Sequence, residues 1–425
     1  MLVIIVFFSL ILLGMPVAYV MGIAGLIGLL QIGGEQFVAM APRRMFAGLD
    51  LFPFLAMPFF ILAGEIMNRS GITRRLVELA DVLVGFLRGG MAHSNMVASV
   101  LFAGITGAAT ADAAAFGNTL VPAMVQKGYT RSFACAVTAA GSIIGPTIPP
   151  STLMVIYGSI MGVSIAGLFA AGILPGLLIA LICMAVIAIF GKRWNLPKGG
   201  ERPSFKRLWE ALRVNVLALV MPVLILGCIL GGFTTPTEAA AIAVAFALFV
   251  GVGVYRTITW HDLYGMLART ALITGVVFLI IACASILGWW MTFEKIPQAI
   301  AAAFLAVTSD PNGIIAMILA LLILVGLFMD INAALLILAP VLGPLTASIG
   351  MDPVHAGIMI VLALNISLMT PPVGACLFVL SSVTGERMEA IARDLLPFIA
   401  AELAILLLIA FWPKLTLFIP HLLGF

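Results

Sequence analysis

The sequence predicts an all-α polytopic membrane protein made of two inverted-topology repeats, each with a re-entrant helical hairpin and a broken helix. Three observations carry that expectation. Of 425 residues, 63% are hydrophobic and only 9% charged, against about 25% charged in a soluble domain, and the mean hydropathy is +1.24. Apolar runs long enough to cross a bilayer recur from end to end, without the period-two alternation of a barrel. Finally, "SIIGPTIPPSTL" (142–153) has an echo in "SLMTPPVGACL" (367–377), so an apolar segment abandons the helix twice. Each proline removes a backbone donor and pushes the preceding residue toward extended geometry.

The echo extends along the chain. Pro149 and Pro371 stand 222 residues apart, as do Pro175 and Pro397. Asp112 and Asp330, like Pro122 and Pro340, stand 218 apart, and Pro16 and Pro236 stand 220 apart. A four-residue insertion near "GPLTASIGMDP" reconciles the offsets. The first repeat covers 1–191: helices near 2–14, 16–32 and 51–68, an amphipathic arm 71–87, a hairpin 91–125, a broken helix 130–161 and a span 165–191. Residues 192–213 form a polar cytoplasmic connector. The second repeat covers 214–425: helices 214–231, 236–255 and 270–290, an arm 296–308, a hairpin 312–346, a broken helix 354–384 and a span 396–420. The hairpin halves 91–104 and 112–125 are each too short, at about 1.5 Å per residue, for an approximately 30 Å core.

Hairpins enter and leave on one side, so each repeat crosses five times, and an odd number inverts the second relative to the first. With both termini outside, 17 of the 21 Lys and Arg face the cytoplasm, and only Arg43, Arg44, Lys295 and Lys414 face out, as the positive-inside rule requires. The first segment has no basic n-region or A-x-A site and reads as a retained span.

Several chemistries are disfavoured. The five cysteines lie in separate apolar stretches, the four histidines lack ligand spacing, and Gly191-Lys192 has no Walker A context. No catalytic cluster stands out, so no enzyme is expected, and no nucleic-acid partner.

Non-helical backbone at membrane depth is tolerated where it lines a cavity or is buried in protein, and two matched breaks point to a transporter's binding site. Freed carbonyls near Gly145, Ile148 and Thr370 suit a cation such as sodium. Half-helix N-termini near Ser151 and Val373 suit an anion, and Thr147, Ser151 and Thr370 add hydroxyls. Tip one of the hairpins, "GITGAATAD" (104–112), offers Thr106 and Thr110 among small residues; tip two, "VGLFMDIN" (325–332), is bulkier. Asp112 and Asp330 each open the second half of a hairpin, as an N-cap or as an intramembrane carboxylate near an ion path. Thr235, Pro236 and Glu238 predict a capping box. Glu65 and Glu402 are isolated acids in apolar spans, without an assigned role.

Taken together, "FTTPTEAAA", "GPTIPPS", "MTPPVG" and "GITGAATADAAA" resemble the large membrane (M) subunit of the tripartite ATP-independent periplasmic (TRAP) transporters, over essentially the whole chain. The resemblance implies an inner-membrane symporter driven by sodium as coupling ion, importing an organic anion such as a sialic acid or C4-dicarboxylate. It implies two partners, a periplasmic substrate-binding protein and a small four-helix membrane subunit, with no small subunit fused to this chain. It implies an elevator-type scaffold plus transport domain, in which hairpins and broken helices move. The sites then map to Gly104, Thr106, Gly107, Thr110 and Asp112; to Gly145, Thr147, Ile148 and Ser151; to Gly326, Asp330 and Asn332; and to Met369, Thr370, Val373 and Gly374. Sodium is expected largely on backbone carbonyls at Thr106, Gly145, Thr147, Gly326 and Thr370. The alternative is a stand-alone sodium/anion symporter of related fold that needs no binding protein.

Overall fold

Apolar runs become helices here wherever neither proline nor glycine interrupts them. The computed structural model describes residues 2–200, 202, 204–372 and 374–425, and every regular element among them is helical. In chain order come α1 (Leu2–Leu12), α2 (Val17–Ala39), α3 (Ala41–Leu49) and α4 (Ala56–Arg69, preceded by a 3-10 turn). Then follow α5 (Ile72–Val84), α6 (Gly90–Thr106), α7 (Ala109–Gln126), α8 (Arg131–Ser142), α9 (Thr152–Met161) and α10 (Ile165–Phe190). The rest are α11 (Phe205–Leu230), α12 (Pro236–Leu248, with a π turn after it), α13 (Trp260–Phe293), α14 (Ile296–Val307), α15 (Pro311–Gly326), α16 (Ile331–Ser348), α17 (Pro353–Ser367), α18 (Ala375–Thr384), α19 (Met388–Phe411) and α20 (Lys414–Leu423). Among the described residues, seven helices are long and apolar enough to cross a membrane.

Several boundaries differ from the sequence expectation, each for a local reason. The helix expected from 214 begins at Phe205, because the Ser204 hydroxyl accepts from the Arg207 N–H and caps it. The helix expected over 270–290 has 34 residues, about 51 Å at 1.5 Å per residue; Thr259 and Asp262 close a capping box ten residues early. The second helix runs past residue 32 to Ala39, kinked where Gly34 takes φ +61°. The third expected span is preceded by α3, and the two are bent by 65°. The final span is two helices, parted at Trp412–Pro413, where the proline donates no hydrogen bond. The hairpin halves have 17 and 18 residues in the first pair, not about 14, and α16 by itself is long and apolar enough to cross. The capping box at Thr235 and Glu238 is present, with the Thr235 N–H donating to Glu238 Oε2 at 2.8 Å.

The packing places the breaks at the centre. α17 is buried without a gap from His355 to Ser367, and α8 is buried from Phe133 to Ser142. By contrast α11 exposes Phe205, Trp209, Val216 and Val223, the surface an apolar solvent accepts. α2 lies parallel to α13: Gly22, Gly25 and Gly28 face Cys283, Leu287 and Trp290 in turn. A Cβ on Gly25 would stand 2.9 Å from the Leu287 nitrogen, so glycine sets that approach. α4 runs antiparallel to α13, with Arg69 on Asp262 at 2.8 Å and Glu65 on Arg269 at 3.7 Å.

Candidate functional site

Two backbone breaks build the site. α8 stops at Ser142 and α9 restarts after Ser151, whose hydroxyl accepts from the Met154 N–H at 3.5 Å. The carbonyls just before the break are satisfied within the turn: Ser142 Oγ donates to Ala139 O, Thr147 Oγ1 to Ile143 O and the Ile148 N–H to Ile144 O. Beyond them, no backbone N–H among the described residues bonds the carbonyls of Gly145 through Pro150. Pro146, Pro149 and Pro150 carry no N–H to return the favour. The second break follows the same plan. Thr370 Oγ1 donates to Ile366 O at 2.8 Å, the Cys376 N–H reaches back to Leu368 O at 3.0 Å, and Gly374 takes φ +33°. The carbonyls of Met369, Thr370, Pro371 and Pro372 receive no backbone N–H among the described residues. Val373 lies outside the described residues.

The breaks meet. Cys135 touches Thr384, Ser142 Oγ meets Cys376 Sγ at 3.4 Å, Asn365 Nδ2 donates to Thr147 Oγ1 at 3.3 Å, and the Tyr157 hydroxyl donates to Pro353 O. As one number rises the other falls, so the two broken helices run antiparallel with their interruptions side by side. Asn365 is fully buried and its Oδ1 has no hydrogen-bond partner. Sequence reading passed over it, although it is the one amide in the apolar run 354–369, a signal of function at membrane depth.

Hairpin tip one closes on the first break. Gly107 takes φ +62°, and a Cβ there would stand 2.3 Å from Pro150 O. Thr106 donates its hydroxyl to Asp112 Oδ1. Asp112 is not an N-cap, contrary to one sequence reading: α7 begins at Ala109 behind Ala108, which places Asp112 at the end of the first turn. Its carboxylate is fully buried, Oδ2 has no partner, and it points at the first break, where a Cβ on Gly145 would stand 2.0 Å away. Tip two differs. Asp330 is exposed and does cap, accepting from the Asn332 and Ala333 N–H groups at 3.0 and 3.3 Å. Gly326 packs on the second broken helix, where a Cβ would meet Ser367 Oγ at 2.1 Å.

In front of tip one lies a cavity of about 200 Å³. Thr106 and Thr110 from tip one, Thr152 from α9, Asn332 from α16 and Glu65 and Asn68 from α4 supply its polar lining. Glu65 also lines a second cavity, of about 290 Å³, with Arg69, Asp262 and Arg269. Of the expected residues, Thr106, Thr110 and Asn332 therefore line the cavity. Gly107, Asp112, Gly145, Thr147, Ser151, Gly326, Met369, Thr370 and Gly374 form the packed tips and breaks. Ile148 belongs to the first break through its carbonyl, while its side chain packs on Gly176 of α10; Gly104, turned to Pro222 of α11, and the exposed cap Asp330 belong to neither group. Glu402 lies apart in the core, with Oε1 accepting from Cys183 Sγ at 3.3 Å and Oε2 unpartnered. Among the described residues no cluster of three metal-ligating side chains exists.

Residues 4–415 match the family model described as "Tripartite ATP-independent periplasmic transporter, DctM component". The chain is 39% identical over 412 residues to the sialic acid TRAP transporter large permease protein SiaM of Vibrio cholerae, covering 96% of this chain and 95% of that one. It is 40% identical over 405 residues to the isethionate TRAP transporter permease protein DctMQ of Oleidesulfovibrio alaskensis, covering 95% of this chain but 64% of that longer protein. Among solved structures, the YdaH transporter of Alcanivorax borkumensis shares the fold, with a TM-score of 0.60 at 15% identity over 91% of this chain and 90% of that one.

Proposed function

Because the chain belongs to the DctM family of large permease proteins of the tripartite ATP-independent periplasmic transporters, we propose that it carries an organic anion inward on a sodium gradient. The family is one of transport proteins, not enzymes, and its tripartite make-up implies a small membrane subunit and a periplasmic binding protein as partners. The chain itself is a multi-span helical membrane protein, which in this family implies the inner membrane.

The observation that carries the sodium reading is Asp112. An isolated ionised carboxylate with no water around it is costly unless a cation or several donors compensate it. Here one oxygen accepts from Thr106, the other has no partner, and it abuts a stretch of carbonyls that no backbone N–H bonds. Sodium, as a hard cation, suits a set of oxygens of this kind. The Thr147 hydroxyl and Asn365 Oδ1 lie on the same seam. Asn365 has spare accepting capacity there, so the two breaks share one layer of oxygen atoms.

The anion occupies the cavity between α4, α13 and the tips, held by Thr110, Thr152 and Asn332. Arg269 leaves Glu65 to draw it toward the cytoplasm. The relatives' substrates, sialic acid and isethionate, both carry an anionic group; here the class is an organic acid such as a sialic acid or C4-dicarboxylate. The antiparallel setting of α4 on α13 and of the two broken helices on each other supports two inverted repeats. Their first three helices form the scaffold, and the hairpins and broken helices form a moving transport domain. Both termini are then periplasmic.

The test is uptake into proteoliposomes that contain this chain and its small subunit, with loaded binding protein outside. Uptake follows an inward sodium gradient, and alanine at Thr106, Thr147, Ser151 or Thr370 raises the sodium needed for half-maximal rate. Equal uptake without a sodium gradient overturns the coupling, and uptake without binding protein favours a stand-alone symporter.

A further inference from the structure

A third polar cavity has no part in that scheme. It measures about 170 Å³, room for several waters at roughly 10–15 Å³ each. It lies where the connector between the two halves docks on the turn joining α5 to α6. The Gly89 N–H donates to Pro197 O at 2.9 Å and the Gly200 N–H to Gly85 O at 3.4 Å. Gly199 is so close that a Cβ would stand 2.1 Å from Phe86 O. Lys127, Lys198 and Arg207 line the cavity with Asp81 as the one acid among the described residues, and Arg202 stands 5.8 Å over the Phe86 ring that forms part of the wall. Lys127 is 3.7 Å from Asp81, whose other oxygen accepts from Ser94 Oγ. Asp81 is therefore partly neutralised, and Lys198 and Arg207 form no ion pair with another described residue. Glu201 lies outside the described residues. Val82, Phe86 and Met91 give the cavity an apolar flank.

From this juxtaposition of three cations, a glycine-lined connector and an apolar flank, we propose that the cavity binds a phosphate-bearing anion. The favoured source is the headgroup of an anionic phospholipid of the adjoining leaflet. Basic pockets between membrane helices on the cytoplasmic side suit such headgroups, and the count of cations places this face there. Acyl chains lie along Val82 and Phe86 while Lys198 and Arg207 reach the phosphate oxygens. A bound headgroup clamps residues 197–200 of the connector to the arm and first hairpin, and so restrains the link between the two halves.

The experiment measures thermal unfolding of the purified protein in phosphatidylcholine nanodiscs with increasing phosphatidylglycerol, beside a lipid-free arm titrated with inorganic phosphate. Phosphatidylglycerol raises the melting temperature of the wild type. The variant Lys198→Gln/Arg207→Gln needs about tenfold or more phosphatidylglycerol for the same shift. Arg387→Gln/Arg393→Gln, with the same charge change elsewhere, behaves as wild type. A matching shift with inorganic phosphate, lost in the first variant, assigns the site to a free anion. Equal responses in both variants and the wild type overturn the proposal, as does an equal loss in the control. If the double variant does not fold, a headgroup-photoreactive phosphatidylglycerol on the wild type decides it. Crosslinks concentrated at 197–207 support the site, and crosslinks spread over the surface overturn it.

Discussion

The two hairpin tips of this protein occupy matched positions and carry the same acid at the start of the second half, yet the acids do opposite things. Asp330 is exposed and accepts two backbone N–H bonds at a helix start. Asp112, 218 residues earlier, is fully buried, takes a hydroxyl bond from Thr106 and leaves an oxygen pointed at the first break. The glycines differ in the same sense. Gly145 leaves room for a carboxylate, whereas Gly326 leaves room for a serine hydroxyl, Ser367 Oγ. A duplicated backbone plan therefore carries unequal chemistry. The break is present in both halves because adjacent prolines dictate it locally, but a fully buried carboxylate facing the break is present at one tip only.

The largest expected effect breaks this asymmetry at the acids. Asp112→Asn removes a charge-assisted contact of about 2–3 kcal/mol, so the sodium for half-maximal uptake rises about 30- to 150-fold. Asp330→Asn leaves it unchanged, because asparagine caps as well as aspartate. Sodium titration of proteoliposome uptake reads both, and equal losses at the two positions end the distinction.

Next come the glycines. Gly145→Ala and Gly326→Ala each drive a methyl into an oxygen and cost about 1–3 kcal/mol of stability. Adding Ser367→Gly to Gly326→Ala restores the melting temperature and uptake. Adding Asp112→Ala to Gly145→Ala restores the melting temperature alone. If uptake also returns in the latter, Asp112 has no transport role.

A smaller effect tests the contact between the breaks. Thr147→Val and Asn365→Ala each cost about 0.5–1.5 kcal/mol, and the double variant costs less than their sum, which a double-mutant cycle by denaturant unfolding measures. Full additivity separates the two breaks energetically. The smallest change is at the rim. Glu65→Gln costs no more than about 1 kcal/mol of stability, since Arg269 is 68% exposed. The same substitution lowers the KM for the anion by freeing Arg269; an unchanged KM removes Arg269 from the path.

Much of the fold could be read one segment at a time. The double prolines and the capping box at Thr235 and Glu238 act within a few residues of themselves. The missed boundaries were equally local. Ser204 and Thr259 are N-caps that extend α11 and α13 into polar sequence, where hydropathy by itself stops too soon. The site was less legible. Gly104 sits in the right motif but faces Pro222, and Asp330 is an exposed cap, while Asn365, Ser367 and Glu65 entered only once helices had docked.

By itself the sequence determined that this chain is helical, where its helices break and that the breaks come in a matched pair. Single prolines such as Pro122, Pro175, Pro222 and Pro397 are carried inside helices, but the adjacent prolines 149–150 and 371–372 withdraw consecutive N–H groups and lock consecutive φ angles, and there the helix stops. Only the tertiary structure decided which orphaned atoms face each other. That Thr147 meets Asn365 and that Asp112 is buried against Gly145 depend on how segments far apart in the chain pack together, which no short-range rule encodes.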